Sequence, residues 1–240
     1  MTNFFLPLAR VTCLLPALLL ARPAPAQSTE YALQLNSGLF WFAGESAARY
    51  SQINQSRSAG ENYTNSPYGA RPALSAGVAA QWQRITARRL VLGLNVGAEW
   101  LRSKVLLDRI NGPEGNAIDA TGKTIYRHSF INAHPHLGWR VPLGKLSVDV
   151  TAGPELGWNL GSHERGKSSS TAGTVTTDKD RDASLVTDFR FRGGVAVNYL
   201  RYGGYVGYSH GLSNYMGSLD GGSPEARARL VRFGLTYRLN

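Results

Sequence analysis

The chain is 240 residues long and basic, with 26 lysines and arginines against 16 acidic residues, a formal charge of +10, and one cysteine, Cys13. That length suits one domain of ordinary size behind a short leader. Beyond the leader there is no cysteine for disulfide or thiolate chemistry and no apolar run long enough for a spanning helix, so entry into a membrane would require a closed β-barrel.

Residues 1–26 read as a secretory signal. Arg10 supplies positive charge, "VTCLLPALLL" is an apolar core about half the roughly 20 residues a spanning helix needs, and "APA" at 24–26 is a small-residue cleavage site. Cleavage near Ala26 removes Arg10, Arg22 and Cys13 and leaves 27–240 as one basic domain. Such a charge suits phosphate-bearing lipids or acidic glycans, or is merely spread over loops and interior.

Eight segments then alternate apolar and polar with period 2. The first, 30–43, puts Tyr31, Leu33, Leu35, Leu39 and Trp41 on one face. The second, 73–83, aligns Leu74, Ala76, Val78, Ala80 and Trp82, and the third, 89–107, aligns Leu90, Leu92, Leu94, Val96, Ala98 and Trp100. In the fourth, 125–141, the set is Ile131, Ala133, Pro135, Leu137, Trp139 and Val141. The fifth, "KLSVDVTAGPELGWNL" (145–160), is the most regular, and Pro154 stands in its middle on the apolar face. The sixth, 186–200, carries Phe189, Phe191, Val195, Val197 and Tyr199; the seventh, 202–214, is Gly-rich; the eighth, 228–240, carries Val231, Phe233, Leu235, Tyr237 and Leu239.

Connections between segments two and three, four and five, and six and seven are tight, whereas 44–72, 108–124, 161–185 and 215–227 are long and polar. This sorting predicts an all-β fold: an eight-stranded antiparallel up-and-down transmembrane β-barrel of the bacterial outer membrane, with both chain ends in the periplasm. A soluble sandwich has no reason to sort its loops by side; a soluble periplasmic barrel such as a lipocalin-like binder stays open as an alternative. Trp82, Trp139, Tyr199, Tyr31 and Tyr237 fall near short turns or chain ends, and Trp41, Trp100 and Trp158 near long loops, as two interfacial girdles would require.

The opposite faces carry Glu99, Arg140, Asp149, Glu155, Asp188, Arg190, Arg192, Arg232 and Arg238, with His134 and His136. Facing lipid, an arginine among them would cost about 2–4 kcal/mol near the bilayer midplane. Facing inward they can pair, and an eight-stranded barrel is just wide enough for its own side chains to fill. A plug of ion pairs is therefore expected in place of a pore.

The echo "PHLGW" (135–139) and "PELGW" (154–158), with "AGPELG" and "YSHGLSN" (208–214), resembles the PorT-like outer-membrane β-barrel family of Bacteroidota-type bacteria. The resemblance spans most of 27–240 and implies the barrel; some members of that family take part in protein secretion. The end, Leu239-Asn240, departs from the aromatic terminal residue common in barrels.

Candidate sites are few. Lipid deacylases of this size resemble one another in a His-x-Ser pair on a late strand, but Ser209 and His210 are adjacent and point to opposite faces. His134 and His136 share a face, as do Asp149 and Glu155; metal binding is weighed there against hydrogen-bonded filler, which the surroundings favour. "DKDRD" (178–182) starts like a calcium loop, yet Ala183 and Phe189 occupy the positions that need Gly and Glu. The 44–72 stretch, rich in Ser, Asn, Gly and Tyr, suits glycan or surface contacts or a loop without a partner. Arg102, Lys104, His163, Arg165 and Lys167 lie where lipopolysaccharide phosphates would be met. No cofactor, metal or nucleic-acid partner is expected. The expected partners are outer-membrane lipid, lipopolysaccharide and surface or secretion proteins. The role is structural or interactive and not catalytic, with a narrow porin-like channel, a secretion accessory and a lipid-modifying enzyme as alternatives. Pro135 and Pro154, as diagonal neighbours, predict a bulge or bend and a local weakness between the fourth and fifth strands.

Overall fold

The computed structural model describes residues 27–58, 61–181, 185–217 and 224–240; the predicted signal lies outside them. Eleven strands occur among the described residues: β1 (Ser28–Ala43), β2 (Tyr50–Asn54), β3 (Tyr63–Thr64), β4 (Arg71–Ile85), β5 (Leu90–Asn111), β6 (Ala117–Leu143), β7 (Leu146–Ser170), β8 (Gly173–Arg181), β9 (Thr187–Tyr199), β10 (Tyr202–Gly211) and β11 (Arg227–Arg238). No helix among them is long and apolar enough to cross a membrane.

Eight strands form a ring of antiparallel pairings, β1–β4–β5–β6–β7–β9–β10–β11 and back to β1. The first and last strands meet from Ala32↔Arg238 to Ala43↔Arg227. Two of the tight connections are two-residue turns, Gly144-Lys145 and Leu200-Arg201, and each places a residue in the left-handed region, Gly144 at φ 67° and Leu200 at φ 52°.

The ring is inverted relative to a soluble protein. Leu33, Leu35, Leu137, Val206 and Leu235 point outward, Leu35 and Leu235 being 63% and 67% exposed. Glu99, Glu155, Asp188, Arg190 and Arg232 point inward and are buried. The alternation of each strand is thus kept while its usual sense is reversed.

The sequence expectation of eight strands and four long loops is corrected on the long-loop side. Stretch 108–124 is mostly strand, with only 112–116 left as a connection, and 161–185 contains the end of β7 and all of β8. The 44–72 stretch contains β2, which runs parallel to β5, and β3, which pairs with β2. With 27 and 25 residues, β6 and β7 reach roughly 90 and 80 Å, whereas some 9–11 tilted residues cross a bilayer. Their outer halves build a second tier whose inward faces carry Thr124, Ser162, Ser168 and Thr177 around Ile53, Val105, Leu107 and Ile110. On β6 and β7 both faces there are largely polar, so hydrophobic alternation fades although the strands continue.

One bulge joins the tiers. Ser129 pairs with Gly161 but Phe130 with Asn159, leaving Leu160 unpaired in β7. The extra residue flips the inward parity from odd (Glu155, Asn159) to even (Ser162, Glu164) and turns His163, Arg165 and Lys167 outward.

Candidate functional site

The interior of the ring is stacked in layers. At the short-turn end Arg140 grips two carboxylates at once, Glu30 at 2.6 and 2.9 Å and Asp149 at 2.6 and 2.7 Å. Arg238 adds a 3.2 Å contact to Glu30, Gln83 donates to Glu30 at 2.6 Å, and Asn198 donates to Asp149 at 3.2 Å. Glu30 went unnoticed in the sequence, although it continues the inward parity of Ala32 and Gln34.

In the middle layer five strands converge. Arg232 of β11 binds Glu99 of β5 through two bonds, 2.6 and 2.8 Å, and Glu155 of β7 at 2.5 Å. The Ser209 hydroxyl of β10 donates to Glu155 at 2.8 Å and accepts from Arg232. Arg190 of β9 bonds Asp188 at 2.6 Å, approaches Glu99 and Glu155 at 3.8 and 3.9 Å, and lies over the Phe130 ring at 4.9 Å. The absence of a side chain at Gly157 makes this fit: a Cβ there would stand 3.2 Å from Phe130 and 3.3 Å from Arg190. These groups are desolvated, so their mutual satisfaction decides whether burying them is tolerable.

Arg192 differs from its neighbours. It has no carboxylate ion pair among the described residues and instead sits over the Tyr205 ring at 5.7 Å. Beside it lies a polar cavity of about 40 Å³ lined by Gln34, Asn95, His134, His136, Arg192 and Tyr205. His134 and His136 stack at 5.1 Å. Their expected hydrogen-bonded role is only partly met: His136 Nδ1 lies 3.2 Å from the His134 carbonyl, but neither ring nitrogen of His134 nor His136 Nε2 has a partner among the described residues. Asp149 and Glu155 do not join them; one belongs to the short-turn cluster and the other to the middle layer.

An aromatic layer that sequence reading missed caps the ion network toward the long loops. Phe42 meets Phe40 at 5.1 Å, Tyr215 at 4.9 Å and Tyr68 at 5.1 Å, and Tyr126 meets His128 at 4.3 Å. Phe40, Phe42, Tyr126, His128 and Phe130 all have inward parity, which was the available signal. Tyr215 folds in from the segment after β10, and its hydroxyl donates to Asp188 at 2.6 Å. The last residue of "YSHGLSN" holds that segment: the Asn214 amide oxygen accepts from Met216 and Ala226, and its nitrogen donates to the Pro224 carbonyl. Above this, Glu164 accepts from the Thr64 amide at 2.6 Å and from Arg181 at 2.7 Å, tying β3 to β7 and β8.

Ser209 is buried in the network while His210 faces outward opposite Arg229, so the two do not form a nucleophile–base pair. Asp178 and Asp180 lie on strand β8 and contact Arg165 and His163, not in a calcium-loop turn; Asp182 lies outside the described residues. Among the described residues no group of three or more His, Cys, Asp or Glu could hold a metal. Outward aromatics gather at both ends of the ring: Tyr31 opposite Trp82, Tyr202 between Tyr199 and Tyr237, and Trp139 at the short turns; Trp41, Trp100 and Trp158 toward the long loops.

The two prolines lie on the outer face, directly opposite each other and not diagonally, and the seam between β6 and β7 lapses there. Pairing stops after Ala133↔Leu156 and resumes at Leu137↔Ala152 in the same register, so the fault is a gap and not the expected bulge. The other edges stay paired, β6 with β5 and β7 with β9. Both missing N–H groups would have faced this one seam. Gly153 completes it, since a Cβ there would strike the Pro135 carbonyl.

No family model matches the chain, and no curated protein matches it in sequence. Among solved structures it is similar to Ail, the attachment invasion locus protein of Yersinia pestis, in complex with the heparin analogue sucrose octasulfate: 12% identity, 89% of this chain and 98% of that one, TM-score 0.34. Neisserial surface protein A gives 10% identity, 88% of this chain and 98% of that one, TM-score 0.39. Likeness at this distance carries nothing about activity or ligands.

Proposed function

We propose that residues 27–240 form a closed eight-stranded barrel of the bacterial outer membrane, with a filled interior and a β-structured outer tier presented at the cell surface for a structural or surface-interaction role. The inversion of the ring is the observation that carries this reading. In water each exposed Leu or Phe on the outer face would forfeit about 1.5–3 kcal/mol of burial, while the buried arginines and carboxylates would still bear their desolvation cost. In lipid the outer face is covered, and the aromatic residues at each end of the ring become the two girdles. The stacked ion pairs and the aromatic layer favour a plug over a channel.

The PorT-like resemblance belongs to this reading through its motifs. Each "P-x-L-G-W" sets an outward proline four residues before an outward tryptophan, and "AGPELG" supplies both Gly153 of the seam and Glu155 of the network. A role beside a secretion machine is favoured by that resemblance alone.

Refolding into phosphatidylcholine vesicles, with electrophoresis of boiled and unboiled samples followed by planar-bilayer recording, tests the proposal. The expected result is a fast-migrating unboiled band and no steady conductance. A monodisperse protein in detergent-free buffer would defeat the membrane assignment, and a stable open conductance would defeat the plug.

A further inference from the structure

Six cations form an outward ladder on β4–β7 that begins immediately beyond the Trp100 level and runs outward along the strands. Arg71 lies directly opposite Lys104, Arg102 opposite Arg127, and Lys123 opposite Lys167. Like charges in direct cross-strand register destabilise a sheet, and here the register repeats three times on one face. None of the six is ion-paired among the described residues. Of the carboxylates near the ladder, Asp178 and Asp180 are taken by Arg165 and His163, and Asp108, two residues beyond the partner of Lys123 on β5, makes no ion pair among the described residues.

One cation of each of the first two pairs, Arg71 and Arg102, is held in place. Between Pro72 and Ala76 β4 carries an extra residue; there the Ser75 hydroxyl accepts from the Arg102 amide at 3.0 Å and the Leu74 carbonyl accepts from Arg102 Nε at 2.7 Å. Arg71 lies over the Tyr50 ring at 5.5 Å, and its Nε is buried without a hydrogen-bond partner. Two residues along a strand tilted near 45° add roughly 5 Å of height. Along β5, Arg102 therefore stands roughly 5 Å and Lys104 roughly 10 Å beyond Trp100, with their partners Arg127 and Arg71 within about 4 Å of those heights, in the headgroup layer of a bilayer.

We infer that this face binds the phosphate groups of an outer-leaflet glycolipid, with Arg71, Arg102, Lys104 and Arg127 as the first contacts and Lys123 and Lys167 reaching phosphates further out. The inference rests on the barrel reading and names the lipid chemistry of its outer rim. Phosphate oxygens accept several charge-assisted bonds at once, so one ligand relieves the repulsion of two facing cations. A soluble anionic polymer would not require the cations to sit at girdle height.

The test uses the protein refolded into phosphatidylcholine nanodiscs containing either bisphosphorylated lipid A or the same lipid stripped of phosphate, with retained lipid read by native mass spectrometry. Wild type should retain the phosphorylated form at least about tenfold better. The combined variant Arg71→Gln, Arg102→Gln, Lys104→Gln, Arg127→Gln should lose that preference. It should also fold as well as wild type or better in pure phosphatidylcholine, because the repulsion is gone. Lys145→Gln with Arg201→Gln, at the short turns, should leave the preference intact. Equal retention of the two lipids by wild type, or a preference that survives the fourfold variant, would overturn the site. Displacement of the lipid by an equal concentration of inorganic phosphate would overturn the glycolipid assignment. Failure of wild type to insert at all would overturn the barrel reading itself.

Discussion

The halves of β7 before and after Leu160 share a strand, an alternation and a polar inner face, yet differ completely outside. Before the bulge the outer face reads Val148, Val150, Pro154, Leu156, Trp158; after it, His163, Arg165, Lys167. The inner faces match: Glu155 binds Arg232 in the first half, and Glu164 binds Arg181 in the second. What changes along β7 is therefore the outer face, apolar before the bulge and cationic after it, and the bulge stands where the change occurs. The same contrast runs around the molecule, with a dense interior and apolar skin in the ring, and an outer tier whose ion pairs on the outward face are open to water.

The largest expected effect breaks the ring at its centre. Arg232→Ala leaves Glu99 and Glu155 buried without their main partner and should cost about 3–5 kcal/mol, read from urea unfolding in vesicles. Its counterpart in the outer tier, Arg165→Ala, removes an exposed pair with Asp178 and should leave the unfolding midpoint unchanged. Equal effects would mean that the interior is not the ring's main support.

Phe42→Ala opens the aromatic layer and should cost about 3–5 kcal/mol. Planar-bilayer recording of the same variant asks whether this layer or the ion network seals the interior; continued silence would assign the seal to the network.

A smaller effect concerns the lapsed seam between β6 and β7. Amides of Ala133, Leu137, Ala152 and Leu156 flank the gap and should exchange faster than those of Val96–Ala98, which lie in the continuous β4–β5 pairing from Ala76↔Trp100 to Ile85↔Val91. Pro135→Ala with Pro154→Ala restores two donors and should raise stability by roughly 1 kcal/mol while slowing those amides. Protection already uniform in wild type would contradict the gap.

The smallest is confined to the outer tier. The hydrogen bond from Arg165 holds the Asp178 carboxyl below its ordinary value of 3.8. A depressed carboxylate stabilises above its unfolded value and loses that contribution as pH falls through the folded one. Amides of β8 should therefore fray only in strong acid, with the ring unaffected; fraying at neutral pH would show that the Arg165 contact contributes nothing.

Much of the ring was legible in the sequence because one face of each strand is apolar and the other is not. Glu99, Arg140, Asp149, Glu155, Arg190 and Arg232 share the polar parity of their strands, and the structure places their side chains on the inward face. The outer tier was hidden because Thr124, Ser162 and Ser168 face inward while Lys123, His163 and Lys167 face outward, leaving no hydrophobic contrast to mark a strand. The shift at Leu160 also breaks any parity carried forward from Trp158. Partner choice was beyond reach for a different reason. Which arginine meets which carboxylate depends on the registers of five strands, and that is how Arg192 comes to lack the carboxylate its neighbours have. The prolines were visible in "PHLGW" and "PELGW", but only the two-residue turn at Gly144-Lys145 sets them face to face.

The central claim, lipid outside and a filled polar interior within, is tested most directly by spin labels at single cysteines along β1, from Ala32 to Ser37, in refolded vesicles. With Cys13 in the leader expected to be removed, 27–240 has no cysteine to mask. Labels at Leu33, Leu35 and Ser37 should be relaxed by oxygen dissolved in lipid and shielded from a water-soluble nickel reagent, while labels at Ala32, Gln34 and Asn36 should be shielded from both. Loss of that alternation, or nickel reaching Leu33 and Leu35, would contradict it.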